Sequence, residues 1–147
     1  MRRRRRGESG SALVELTWLG ILLLVPVIWI VLSASEVQRG AFATSAAARA
    51  AGRAYALAPT DAEGHARAEA AARQALADQG ADKQSLTLSV SCRPTPGDCH
   101  RAGSVITVQI RSGVELPLLP SVLGGGAPSF RLDASHTVPI GQFRDEP

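Results

Sequence analysis

An unbroken run of uncharged, mostly apolar residues, 16–35, constrains the fold of this chain more than any other feature. Its 20 residues, at a rise of about 1.5 Å each, form a helix roughly 30 Å long, which matches the thickness of a bilayer hydrocarbon core. Pro26 lies inside the run, and membrane helices tolerate such a proline. The sequence therefore predicts that residues 11–35 form a transmembrane helix, with the lipid bilayer as its first partner.

Glu15 stands at the start of this apolar run, and five arginines occupy residues 2–6. A carboxylate one turn inside a membrane helix costs up to about 3 kcal/mol, so such acids tend to have a function and a partner. If the chain were cut between Gly10 and Ser11, the new α-ammonium group of Ser11 would lie one helical turn before Glu15 on the same face. The two charges would attract strongly at low dielectric, within one helix or between staggered neighbours.

This arrangement resembles that of the type IV pilin-like prepilins. The matching features are a basic leader ending in Gly10, the small residue Ser11, a glutamate at the fifth position after the glycine, and the hydrophobic helix. In that family a membrane prepilin peptidase cuts after the glycine, and the glutamate guides subunit assembly. The resemblance implies that Gly10 and Ser11 are the processing site, that residues 1–10 are a cytoplasmic leader, and that Glu15 acts in subunit assembly.

Two other interpretations of the N-terminal segment remain open. The first is a plain single-pass anchor with an incidental glutamate, which would make the protein a membrane-tethered extracellular binding module without a pilus role. The second is a cleaved secretory signal, because residues 33–35 are small, as at a signal peptidase site. An apolar region of 20 residues exceeds the usual length of about 7–15 for such signals, however, and Glu15 would interrupt it.

Most of the basic character lies in the first ten residues. The chain has 16 basic and 13 acidic residues, and removing residues 1–10, with five arginines and Glu8, leaves 11 and 12. Arginines directly before a membrane helix mark its cytoplasmic flank, so the C-terminal head is expected outside the cytoplasm. No nucleic-acid partner is expected, because the part beyond the helix has few aromatic residues among its basic ones.

The two cysteines, Cys92 and Cys99, flank a turn-rich loop between two predicted strands. A disulfide between them is expected in an extracytoplasmic head, and closing a ring this small would stabilise the fold by roughly 2.5 kcal/mol on the chain-entropy estimate. Two free thiols are the alternative. The spacing is not the C-x-x-C of redox or zinc sites, so no metal site is expected here.

The membrane helix is expected to continue outside the bilayer. Residues 36–58 contain no proline and are rich in strong helix formers, so one helix is predicted from about residue 12 to residue 57. Arg49 and Arg53 share a face of this extension at a spacing of four residues. That face is either solvated or in contact with a neighbouring subunit.

A second helix is predicted after Pro59, over about residues 61–79. Thr60 is expected to be its N-cap, with Glu63 reaching back to form a capping box. Gly80 is expected to end it. Its contact face is mostly alanine, so this helix should lie closely on a sheet or on the first helix.

After residue 80 the sequence has the period of two that is typical of strands with one buried face. The apolar positions of three predicted strands are Leu86, Leu88, Val90 and Cys92; Ile106, Val108 and Ile110; and Phe130, Leu132, Ala134 and Val138. A Pro- and Gly-rich loop, 114–128, contains leucines that either cover the sheet or contact a membrane or partner. The predicted fold is α+β: a long N-terminal transmembrane helix with an extension, then a head, 59–147, with a second helix and an antiparallel sheet of about three strands.

The order of these segments resembles the TadE-like pseudopilins of tight-adherence (Flp, type IVb-like) pilus systems. An Ala- and Arg-rich helix follows the membrane run, a strand continues into Leu-Pro-Leu-Leu-Pro, and a Gly-rich loop precedes a closing strand. The family often has an acidic residue after the last strand, where this chain has Pro139-Ile-Gly-Gln-Phe. The resemblance implies a minor pilin or pseudopilin whose partners are a prepilin peptidase, other pilin-like subunits and the tight-adherence assembly machinery.

No catalytic or cofactor-binding constellation is found in the sequence. His65, His100 and His136 fall on a helix, a loop and a strand, without acidic or cysteine neighbours at ligand spacing. The glycines at 124–126 lack the lysine and hydroxyl residues of a phosphate-binding loop. An enzyme is therefore not expected, and neither is a cofactor.

Overall fold

The computed structural model of this protein describes residues 9–115 and 129–142, with side chains from residue 12 onward. It contains two helices, α1 (Ser9–Ala56) and α2 (Asp61–Asp78), and three strands, β1 (Ser85–Arg93), β2 (Val105–Glu115) and β3 (Ser129–Pro139). The predicted α+β class, with one long N-terminal helix, a second helix and a three-stranded antiparallel sheet, is confirmed. The chain divides into two compact units, Met1–Ser35 and Glu36–Pro147.

In the first unit, α1 is apolar and its side chains are exposed. Leu16 and Trp18 are both 68% exposed, and the apolar residues on the other sides of the helix are exposed as well. The hydroxyl groups of Thr17 and Ser35 donate to the carbonyl oxygens of Leu13 and Val31, each at 2.8 Å, so they are satisfied within the helix. Among the described residues this is the one helix long and apolar enough to span a membrane, and it is compatible with single-pass anchoring.

In the second unit, the three strands form an antiparallel sheet in the order β1-β2-β3. The apolar positions alternate as predicted, and Ile106, Val108 and Ile110 of the central strand are fully buried. The predicted start of the Pro- and Gly-rich loop, residue 114, was too early. Val114 pairs with Phe130 within the sheet, so β2 continues to Glu115. The remaining loop residues, 116–128, with the leucines expected to cover the sheet or contact a partner, lie outside the described part of the chain.

The other face of the sheet is polar. The hydroxyl groups of Thr107 and Thr137 lie 3.3 Å apart across neighbouring strands, and Arg111 forms an ion pair with Asp133 at 3.4 Å. Phe130, which the alternation places on the apolar side, is 52% exposed where β3 begins. The sheet therefore packs on one side only, as antiparallel sheets with a solvated face do.

Small residues bring the helices close to the apolar side of the sheet. The buried positions of α2 are Gly64, Ala68, Ala72 and Leu76, and those of α1 include Ala43, Ala47, Ala51 and Tyr55. These positions recur every four residues, so each helix presents one narrow, nearly flat stripe. At Gly40, a Cβ atom would lie 2.3 Å from Cγ2 of Val114 and 2.9 Å from Cδ1 of Leu132.

Helix α2 begins and ends with capping structures. The N–H of Glu63 donates to Oγ1 of Thr60 at 3.3 Å, which confirms Thr60 as the N-cap, while the Glu63 carboxylate pairs with Arg67 rather than reaching back. At the other end, Gly80 has a φ of 66°, and the N–H of Ala81 donates to the Leu76 carbonyl at 2.8 Å. This is a Schellman motif, and it ends the helix just before Gly80, the glycine that was predicted to stop it.

We expect the substitution Gly40→Ala to destabilise the second unit by about 1–3 kcal/mol, because the added methyl group overlaps Val114 in a close-packed core. Gly20→Ala is the matched control, since no atom of the described residues lies within 4 Å of the position of its Cβ. Thermal unfolding of the full chain in detergent, followed by circular dichroism, measures both. Equal melting temperatures for the two variants would contradict this packing.

Candidate functional site

The predicted processing site lies at the start of α1. The helix begins at Ser9, so Gly10 and Ser11 belong to its first turn, while their side chains and the leader residues 1–8 lie outside the described part of the chain. Glu15 follows on the same continuous helix, four residues after Ser11. The helical spacing on which the predicted pairing depends is therefore present, and the processing itself stays a prediction.

Glu15 is surrounded along the helix by exposed apolar side chains. Leu13, Leu16 and Leu19 are its exposed neighbours within about one turn, and Glu15 itself is exposed. Within residues 9–115 and 129–142, the Glu15 carboxylate has no ion-pair or hydrogen-bond partner. In an apolar medium such a carboxylate needs a counter-ion from another group, because burying an isolated charge is costly.

The predicted disulfide between Cys92 and Cys99 is present. The two Cα atoms are 5.3 Å apart, and both cysteines are buried. The bond closes the loop between β1 and β2, whose strands pair up to Arg93 and Val105. It therefore fixes the start of the segment that carries His100.

A polar cluster that the sequence did not predict lies beside this disulfide. Nδ1 of His100 donates to Oδ1 of Asp61, which also accepts a hydrogen bond from the Tyr55 hydroxyl at 3.1 Å. The second carboxylate oxygen, Oδ2, accepts from the Cys99 N–H at 3.3 Å. The rings of Tyr55 and His100 are stacked with centroids 5.1 Å apart. One carboxylate at the start of α2 thus joins the end of α1 to the cysteine loop.

The cluster changes the acidity of two of its members. Burial alone would raise the pKa of the Asp61 carboxyl, but the hydrogen bonds from His100, the Cys99 N–H and Tyr55 outweigh it, and the pKa is lowered from 3.8. Burial raises the pKa of the Tyr55 hydroxyl, and the bond to the nearby Asp61 carboxylate raises it further. The folded structure therefore favours an ionised Asp61 and a neutral Tyr55.

The geometry of the cluster suits a structural link better than proton transfer. Nε2 of His100 lies 2.9 Å from the Tyr55 carbonyl oxygen, so both ring nitrogens face protein acceptors and neither is free for a substrate. The sequence analysis did not anticipate the contact of His100 with an acid, because Asp61 lies 39 residues earlier in the chain. The only local signals were an aspartate after an N-cap and a histidine after a cysteine, and neither indicates a contact across that distance.

The other two histidines do not belong to this set of hydrogen bonds. His65 is exposed, and its ring meets Tyr55 edge-on with centroids 5.2 Å apart. His136 is half-buried against the helix, where a Cβ atom at Gly52 would lie 3.0 Å from its ring. Among the described residues, no group of three or more His, Cys, Asp or Glu side chains is arranged to hold a metal ion.

No protein-family model, curated protein or solved structure matches this chain. A functional assignment therefore depends on the residues themselves. The two features available are the Gly10-Ser11-Glu15 spacing on an apolar helix and the Asp61 cluster that stabilises the head.

We expect Asp61→Asn to lower the unfolding free energy of the head by about 1–3 kcal/mol at neutral pH, since it removes a charged acceptor of three hydrogen bonds. Because the pKa of Asp61 is lower in the folded state, the stabilisation is complete above about pH 4, the ordinary pKa of this carboxyl, and is lost as the pH falls through the lowered value. Urea unfolding of the full chain across this pH range measures the effect.

Asp82→Asn is the matched control, because Asp82 is exposed and lies after α2 rather than in the cluster. The difference between wild type and Asp61→Asn should shrink toward acid pH, whereas the control should follow wild type throughout. A difference that stays constant down to the lowest pH would contradict the assigned role of the charge.

Proposed function

We propose that this protein is a minor pilin or pseudopilin-like subunit for the assembly of tight-adherence pili. The observation that carries the proposal is the position of Glu15, a carboxylate without a partner among the described residues, on an apolar helix four residues after Ser11. The resemblance of the leader to prepilins supplies the missing counter-ion, since it places a peptidase cut directly before Ser11. The α+β fold after a single apolar N-terminal helix is compatible with such a subunit.

In the proposed mechanism, a prepilin peptidase hydrolyses the bond between Gly10 and Ser11. One water molecule is consumed, the leader leaves with a carboxylate on Gly10, and the amide nitrogen of Ser11 becomes an α-ammonium group. That ammonium neutralises Glu15 of the same or a staggered neighbouring helix, where the low dielectric makes the attraction strong. Removal of the basic leader also frees the helix to move out of the membrane with its neighbours.

The proposed role of the head is structural rather than catalytic. Its strongest polar cluster has both nitrogens of His100 engaged by protein acceptors, and the buried disulfide ties the same loop to β1 and β2. The five arginines of the leader favour a cytoplasmic N-terminus, so the head is placed outside the cytoplasm, where a disulfide persists.

We expect the mature protein, extracted from membranes of cells that contain a prepilin peptidase, to begin at Ser11. N-terminal sequencing measures this directly, and Gly10→Leu should leave the leader attached because the bulky side chain replaces the glycine at the cut. A start at Met1 would favour a plain membrane-tethered module, and a start at Glu36 would favour a secreted head.

We expect Glu15→Gln to leave membrane insertion intact and to reduce incorporation into pili at least tenfold, because the charge that pairs with the new N-terminus is lost while the side chain keeps its size. Glu8→Gln is the matched control, since that residue leaves with the leader. Quantification of the protein in sheared pili and in membranes gives both values. Equal pilus content for the two variants would overturn the assembly role of Glu15.

A further inference from the structure

The outward face of α1 in the second unit carries two arginines without an acidic partner among the described residues. Residues 37–60 contain no Asp or Glu, although the other arginines of the two helices each pair with a glutamate about one turn away. Those pairs are Arg39 with Glu36, Arg67 with Glu63, and Arg73 with Glu69. Arg49 and Arg53 are exposed and have no ion-pair partner within the described residues. Within the described part of the chain, no acid compensates the repulsion between these two like charges, which are one turn apart.

The same face carries the two most exposed large apolar side chains described in the second unit. Phe42 is 72% exposed and Leu57 is 77% exposed. Their positions, with Arg49 and Arg53 between them, follow the spacing that brings residues to one side of a helix, and they lie roughly 22 Å apart along it. We call these four residues the arginine stripe.

The helix cannot turn to bury the arginine stripe in its own head. The opposite side of α1 is already buried: Ala43, Ala47 and Ala51 are fully buried there, and Tyr55 is held by its bond to Asp61. A rotation would expose these residues and break the Asp61 cluster. Within residues 36–115 and 129–142, then, nothing of the second unit covers Phe42 and Leu57.

We propose that the arginine stripe is a docking surface for an acidic amphipathic helix of another polypeptide. The complementary surface has two carboxylates one turn apart, facing Arg49 and Arg53, and an apolar side chain beyond each, facing Phe42 and Leu57. Charged and apolar groups in this arrangement determine which helix can bind and in which register it lies.

The described helices of a second copy do not present two free carboxylates one turn apart, since the unpaired Glu15 stands alone in the apolar run. Glu36, Glu63 and Glu69 are already paired with arginines, and Asp61 is engaged in the cluster. Asp78, near the end of α2, accepts a hydrogen bond from Gln74 at 2.8 Å. Charge complementarity thus points to a different chain. This proposal stands independently of Glu15 and of cleavage at Gly10.

The test places p-benzoylphenylalanine, a photoreactive side chain, at position 42 of the full chain in its native membrane. We expect ultraviolet light to give one main adduct, whose cross-linked peptide is a helix with carboxylates three or four residues apart. The same side chain at position 130 is the matched control, because Phe130 is also an exposed aromatic residue but lies on the sheet. Mass spectrometry identifies the peptide in the adduct.

Charge reversal distinguishes this docking from chance proximity. Arg49→Glu with Arg53→Glu should reduce the adduct at least tenfold, and replacing the two carboxylates of the partner by lysines should restore it. Arg93→Glu with Arg101→Glu, the same change on exposed residues elsewhere on the head, should leave the yield unchanged. If the double glutamate variant melts below wild type, Arg49→Gln with Arg53→Gln takes its place.

An adduct with a phospholipid, with a second copy of this chain or with a helix lacking carboxylates would overturn the proposal. So would the absence of any adduct at position 42, or a yield that the charge reversal does not change. Because none of these results depends on the identity of the N-terminus, a failure here is distinguishable from a failure of the pilin-like assignment.

Discussion

The head depends on how closely a helix can approach a sheet when its contact residues have almost no side chain. With Gly40 against Val114 and Leu132, Gly52 against His136, and fully buried alanines on the same side, α1 lies close to the sheet. Small residues contribute little apolar area each, so the contact gains stability from close packing rather than from large buried groups. The few larger buried groups and the polar cluster at the end of the helix are therefore important for the stability of this head.

The Asp61 cluster compensates for the shallow core. A carboxylate that accepts from a histidine, a backbone N–H and a tyrosine hydroxyl connects α1, α2 and the cysteine loop at one point. The disulfide constrains the loop covalently, and the carboxylate constrains its position on the helices. Together they replace part of what a larger hydrophobic core would supply in a domain of this size.

Much of the fold could be predicted from local patterns. The uncharged run gave α1, Thr60 and Gly80 marked the limits of α2, and the alternation around Ile106 to Ile110 predicted the central strand and its buried face. What could not be predicted were contacts between residues distant in sequence. The extension of β2 through Val114 depends on pairing with Phe130, and the Asp61–His100 contact depends on how the loop folds back on the helices.

The candidate functional residues likewise include some with a local sequence signal and some that depend on contacts between distant residues. The Gly10-Ser11-Glu15 spacing is local and can be found in the sequence alone, whereas the sequence does not show that Arg49 and Arg53 have no ion-pair partner among the described residues. To see this, one has to know which glutamates form ion pairs with the other arginines.

The polar side of the sheet affects how strongly neighbouring heads can associate. Burying this face would remove the threonine hydroxyls and the paired arginine and aspartate from solvent, which is costly, so contact through it would contribute little to association between heads. Contact between two heads is therefore expected to use other surfaces than this face of the sheet.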